Sequence, residues 1–128
     1  MFGEVALRSV IIVALLVLSG LGTSAVAADP AAGKSVFNSY CSLCHTVQPN
    51  RNMTGPSLFG IVGRKTGSVP GFHYSPANQA ANLTWNEPTL DKYLQSPRTM
   101  IPGTIMTYGG LKDDEKRANL IAYLATLK

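Results

Sequence analysis

The sequence predicts a small all-α domain in which three main helices are separated by long loops. Apolar residues recur at helical spacing in three segments, and each segment is preceded by a side chain able to cap a helix. The period-two alternation that marks half-buried strands is absent. Between Thr46 and Asn82, Gly, Pro, Asn and Ser are concentrated, so this stretch reads as loop with brief helical turns.

The segment ahead of the domain reads differently. Residues 1–27 have the layout of a secretory signal peptide: Arg8 and Glu4 in a short leading region, then an apolar run from Val10 to Leu18. Ser19, Gly20 and Gly22 break that run, and Ala25-Val26-Ala27 supplies the small residues a signal peptidase reads. Cleavage is expected after Ala27 or Ala28, leaving residues 28–128 as one domain. A membrane-anchored form is the weaker reading: a bilayer span needs roughly 20 apolar residues, which this stretch reaches only by including its Ser/Gly/Thr-rich part. Removal of one basic and one acidic residue leaves the net charge at +4. With no Lys/Arg-rich run, that mild excess suits an anionic protein partner and argues against nucleic acid.

Asp29-Pro30 opens the first helix, the carboxylate as cap and the proline in the first turn. It is expected to run to about Tyr40, with Val36, Phe37 and Tyr40 along one side. The second begins near Asn86, carries Leu90, Tyr93 and Leu94 on one face, and is stopped by Pro97. The last starts at Asp113, has Asp114 and Glu115 at its positive end, and presents Leu120, Ile121, Leu124 and Leu127 as an apolar stripe.

The chemistry sits just after the first helix, in Cys41-Ser42-Leu43-Cys44-His45. Cys-x-x-Cys-His is the attachment signature of c-type haem. Two thiols add across the vinyl groups on one porphyrin edge, and the adjacent imidazole reaches the iron. A redox disulfide would belong to a βαβ context, which is missing here. A zinc site needs four ligands, and His73 is the only further histidine in a chain with no further cysteines. One covalently held haem also explains how a small domain tolerates such long loops, since they wrap a cofactor that serves as core. For the opposite side of the iron the residues leave Met53, Met100, Met106 and His73 open. Met106 stands in Ile101-Pro102-Gly103-Thr104-Ile105-Met106, a loop defined by proline and glycine.

Beyond the attachment motif, several segments occur in a family-like order. They are Thr54-Gly55-Pro56, Gly63-Arg64-Lys65-Thr66-Gly67, Phe72-His73-Tyr74-Ser75-Pro76-Ala77-Asn78, Trp85, Tyr93-Leu94, the Met106 loop, and Leu120-Ile121-Ala122-Tyr123-Leu124. With them the chain resembles a class I c-type cytochrome of the cytochrome c2 and mitochondrial cytochrome c group, from Gly33 to Leu127. The resemblance implies the small cytochrome c fold, with three main helices and long loops wrapped around one haem c. It implies His45 and Met106 as iron ligands and the Pro56 carbonyl as partner of the His45 ring N–H. It places Arg64, Tyr74, Ser75, Asn78, Trp85 and Thr104 around the haem propionates or an internal water network, and Tyr93 near the methionine sulfur. It also implies a tight crossing of the first and last helices at Gly33, with Phe37 against Leu120 and Tyr123.

Met/His ligation closes the iron, so the expected role is a soluble, periplasmic, monomeric single-electron carrier and not an enzyme. The expected donor is an exported dehydrogenase or cytochrome complex, and the acceptor a terminal oxidase or reductase. Neither nucleic acid nor a small-molecule substrate is expected as a partner. Two alternatives stand beside this: a dedicated electron-acceptor subunit of an exported dehydrogenase, and a small peroxidase-like haem with an open distal site. The chain departs from the mitochondrial pattern where lysines would ring the haem edge. Tyr40, Thr99 and Ile105 stand there, while Arg98 and Lys112 keep a charge. Docking should therefore lean on apolar contact more than on steering. His73 reads as a surface loop residue, with a pH-sensitive neighbour of a propionate as the alternative.

Overall fold

A computed structural model describes residues 25–128. The expected signal peptide, residues 1–27, lies outside the described residues apart from its last three positions. Five helices follow: α1 (Pro30–Tyr40), α2 (Pro76–Ala80), α3 (Glu87–Gln95), α4 (Pro97–Met100) and α5 (Asp114–Ala125). Among the described residues the extended pairing amounts to one isolated antiparallel bridge, Lys65 with Thr84, so the all-α expectation is borne out. None of the described helices is long and apolar enough to cross a membrane.

Local chemistry sets the helix starts. The Asp29 carboxylate accepts from the Ala31 N–H at 2.9 Å, the Asn86 side chain from Thr89 N–H, and Asp113 from Lys116 N–H. Each satisfies an amide that the first helical turn leaves without a partner. Pro97 does two things at once: it terminates α3, and it opens the short α4, with Ser96 as the shared cap residue. The expected loop between residues 46 and 82 holds α2, capped by Ser75, whose hydroxyl accepts from Asn78 N–H at 3.1 Å.

The packing unit is the crossing of α1 and α5. Gly33 faces the Asn119 carbonyl and the Tyr123 side chain so closely that a Cβ there would collide with both. Phe37 sets its ring 6.0 Å from that of Tyr123. The Asp29 N–H reaches Asn119 Oδ1 at 2.7 Å, tying the start of α1 to α5. Leu120 and Leu124 carry the α5 stripe into the core, with Leu90, Tyr93 and Leu94 of α3 in the same apolar cluster.

A charged residue is buried beside this cluster. Arg117 on α5, only 4% exposed, donates from Nε to Asp91 of α3 at 2.5 Å and from one terminal nitrogen to the Leu111 carbonyl at 2.9 Å. Its other terminal nitrogen meets Asp114, which is well exposed and adds little. Arg117 thus joins α5, α3 and the segment between α4 and α5. Arg117→Ala is expected to cost about 2–3 kcal/mol, because a buried carbonyl and a half-buried carboxylate lose their donors. A lowered midpoint in urea with unchanged haem absorption would be the signature.

Candidate haem site

The chain leaves α1 through Cys41, whose N–H still donates to Phe37 O at 2.8 Å. A tight turn then brings the His45 N–H to Cys41 O at 2.9 Å. Both thiols and the imidazole are therefore presented from one compact turn at the rim of a cavity of about 550 Å³. Every site residue expected from the sequence lines this cavity: Cys41, Cys44, His45, Pro56, Arg64, Tyr74, Ser75, Asn78, Trp85, Tyr93, Thr104 and Met106. Met53, Met100 and His73 do not, and His73 is exposed. Among the four candidates left open by the residues alone, Met106 is the one on the cavity wall.

His45 is oriented from behind. Its Nδ1 lies 2.8 Å from the Pro56 carbonyl oxygen, which can only accept, so Nδ1 carries the proton and Nε2 keeps its lone pair. Burial lowers the imidazole's proton affinity, partly offset by the Pro56 bond, and the Arg64 charge adds to the lowering. The neutral ring is thus favoured, as a metal ligand must be. Burial also pushes the Cys41 thiol up to about 11, with nearby Cys44 adding to the effect. A thioether has no such proton to lose, so covalent attachment removes that conflict.

Gly55 seats the imidazole, a role that its residue type alone does not announce. A Cβ at Gly55 would fall 2.6 Å from His45 Nδ1 and closer still to the ring carbon between the nitrogens. Its place in Thr54-Gly55-Pro56 was the available signal: a glycine beside the carbonyl that holds the ring. Gly55→Ala is expected to push the ring from Pro56, giving partial high-spin absorption and haem yield lowered several-fold at unchanged expression. A wild-type spectrum would count against the seating role.

On the other side, the Tyr93 hydroxyl lies 3.3 Å from Met106 Sδ and 3.4 Å from Thr104 Oγ1. The Met106 N–H donates to Thr104 Oγ1 at 3.3 Å. Trp85 is buried with its ring 4.8 Å from that of Tyr93. Burial raises the Tyr93 phenol's pKa, which keeps its proton in place as a donor.

The polar end of the cavity is built around Arg64. Its terminal nitrogens donate to the Phe59 and Ser57 carbonyls, each at 3.0 Å, while Nε is buried without a partner. An orphaned charged donor beside an apolar cavity is costly unless a ligand supplies an acceptor. The carboxylates of a haem would do so. Two neighbours differ in what they have left to offer. The Tyr74 oxygen accepts from Val69 N–H at 3.0 Å, so its own proton remains available. The Ser75 hydroxyl donates to Asn78 Oδ1 at 2.9 Å and is already committed. Ser75 therefore shapes this end by holding α2 and Asn78.

An attachment turn, an apolar cavity with a nitrogen donor and a thioether on its walls, and one guanidinium whose Nε lacks a partner define a c-type haem protein. The Cytochrome c family profile matches residues 30–128, and the chain belongs to that family. It is 49% identical to cytochrome c2 of Rhodopila globiformis over 105 residues, 82% of this chain and 99% of that protein. It is 43% identical to cytochrome c of Euglena viridis, covering 78% of this chain and 98% of the relative. The fold is similar to that of cytochrome cH from Methylobacterium extorquens, with a TM-score of 0.72 and 38% identity over 77% of this chain and 98% of that one. The protein is a class I c-type cytochrome that binds one covalently attached haem c and carries single electrons; it is not an enzyme.

Proposed function

We propose that this protein is an exported, soluble carrier, matured by cleavage after Ala27 or Ala28, whose iron is held by His45 and Met106. The observation that carries the reading is the pair of supports around the two expected ligands. The Pro56 carbonyl directs the His45 lone pair inward, and the Tyr93 hydroxyl meets the Met106 sulfur. Bound there, haem c supplies a one-electron ferric/ferrous couple. The residues supply the rest. Cys41 and Cys44 would hold the ring edge, and Arg64 and Tyr74 would donate to its carboxylates. Trp85, Leu90 and Leu94 exclude water. Thioether ligation and burial both favour the reduced state and raise the potential.

Held by both His45 and Met106, the iron would have no place for a substrate, and electron exchange would run past Cys41 and Cys44 on the cavity wall. Donors would be an exported dehydrogenase or cytochrome complex, and acceptors a terminal oxidase or reductase, all reached in the periplasm. Absorption of the oxidised holoprotein tests the ligation: a far-red sulfur-to-iron charge-transfer band is expected. Its absence would favour a peroxidase-like or gas-binding haem. N-terminal sequencing of protein from the periplasmic fraction is expected to begin at Ala28 or Asp29.

A further inference from the structure

The polar support of His45 does not end at Pro56. The peptide unit that joins Pro56 to Ser57 is bonded on both sides. Its carbonyl oxygen lies 2.8 Å from His45 Nδ1, and its N–H donates to Asn52 Oδ1 at 3.0 Å. Asn52 in turn donates from Nδ2 to the Pro70 carbonyl at 3.2 Å. These two partners fix which way the Asn52 amide faces, because an N–H only donates and a carbonyl only accepts. Three hydrogen bonds therefore run head to tail, from the imidazole through one peptide group and one side-chain amide into the loop before Tyr74. Ser57 is held on its remaining polar atoms. It is 3% exposed, its hydroxyl donates to the Gln48 carbonyl at 2.6 Å and accepts from Phe59 N–H, and its carbonyl accepts from Arg64. The Pro56–Ser57 peptide is thus kept from turning, and what Asn52 can change is how strongly the Pro56 carbonyl attracts the imidazole proton.

Hydrogen bonds in such a chain polarise one another. An acceptor on the peptide N–H moves electron density toward the peptide oxygen. That oxygen then draws the Nδ1 proton harder, and Nε2 becomes a stronger donor, which favours ferric iron. We propose that Asn52 is a positioning residue that strengthens His45 as a ligand through the Pro56–Ser57 peptide, and so lowers the potential from outside the haem cavity. The inference rests on the reading of His45 as an iron ligand. Asn52 does not line the cavity, so its side chain acts on the iron only through this chain of bonds.

The test uses the holoprotein carrying Asn52→Leu, which fills a similar volume with no acceptor, or Asn52→Asp, whose carboxylate accepts more strongly. In the diamagnetic ferrous state, the proton NMR signal of the His45 ring N–H should move upfield in Asn52→Leu. Its exchange with solvent should quicken about tenfold, as for a hydrogen bond weakened by roughly its net worth. In Asn52→Asp the signal should move downfield and exchange more slowly. At a fixed applied potential, the ratio of reduced to oxidised protein should rise about threefold in Asn52→Leu, as when one bond of a polarised chain is lost, and fall in Asn52→Asp. A tie between two loops with no effect on the ligand would lower the urea midpoint in both variants and leave the ring N–H signal in place. That result would overturn the proposal, as would shifts of the same sign in both variants. Should Asn52→Leu not take up haem, the direction of the ring N–H shift in Asn52→Asp decides alone. Low-spin absorption of the unmutated holoprotein is the separate check on its axial ligands. High-spin absorption there would overturn the His45 and Met106 reading and this inference with it, whereas low-spin absorption with unmoved signals overturns the role of Asn52 alone.

Discussion

Met106→Ala is expected to abolish the far-red band of the oxidised protein and to lower the midpoint potential by a few tenths of a volt, out of the ~0.8 V that axial ligation spans. The thioether is a soft donor that favours ferrous iron, and alanine leaves that position to water or an added ligand. The structure makes the comparison specific. Met106 Sδ is paired with the Tyr93 hydroxyl on the cavity wall, whereas Met53 is half exposed and Met100 packs against the apolar core outside the cavity. Met53→Ala and Met100→Ala should therefore leave the spectrum unchanged, with Met100→Ala costing packing alone. Binding of imidazole or carbon monoxide should appear in Met106→Ala only. Spectroelectrochemical titration checks the shift, and an unchanged potential would remove Met106 from the iron.

Gly33→Val is expected to destabilise the holoprotein by about 3 kcal/mol or more, near the upper end for overpacking a tight contact. The new side chain would have to occupy space held by the Asn119 carbonyl and the Tyr123 Cβ. Helix backbone cannot yield as a flexible side-chain end can, so α1 and α5 must separate. Separation would loosen the Phe37–Tyr123 contact and stretch the Asp29–Asn119 hydrogen bond. In a domain of this size, such a loss is a large part of the whole stability. Urea unfolding followed by haem absorption measures it, and a midpoint equal to wild type would show that the crossing tolerates a wider spacing.

The helix starts were legible because they are local. Asp29, Asn86 and Asp113 each cap the helix expected of them, since a cap needs only a side chain and an amide two or three residues on. Pro97 was legible as a stop, but its second use in opening α4 depends on where the turn after Ser96 places the next residues. Leu127 belongs to the α5 stripe by spacing, yet the helix ends at Ala125 and Leu127 packs from beyond it. The burial of Arg117 was not legible. An arginine in the sequence Asp114-Glu115-Lys116-Arg117 reads as an exposed helix face, and its partners Asp91 and Leu111 come from elsewhere in the chain.

The sequence by itself determined the covalent chemistry, because Cys41, Cys44 and His45 are neighbours whose spacing alone matches one edge of a porphyrin and its iron. It also determined where the three long helices start and, through family likeness, the roll of residues around the cofactor. Only the tertiary structure decided how those residues meet: the Pro56 carbonyl 2.8 Å from the His45 ring, the Tyr93 hydroxyl on the Met106 sulfur, the unpaired Arg64 nitrogen, and Gly55 as the seat of the imidazole. It also decided that Leu43 and Ile105 stand exposed at the opening. The reason is physical. Attachment and capping are encoded in a few consecutive residues, whereas the closure of a cavity depends on burial that brings distant loops together.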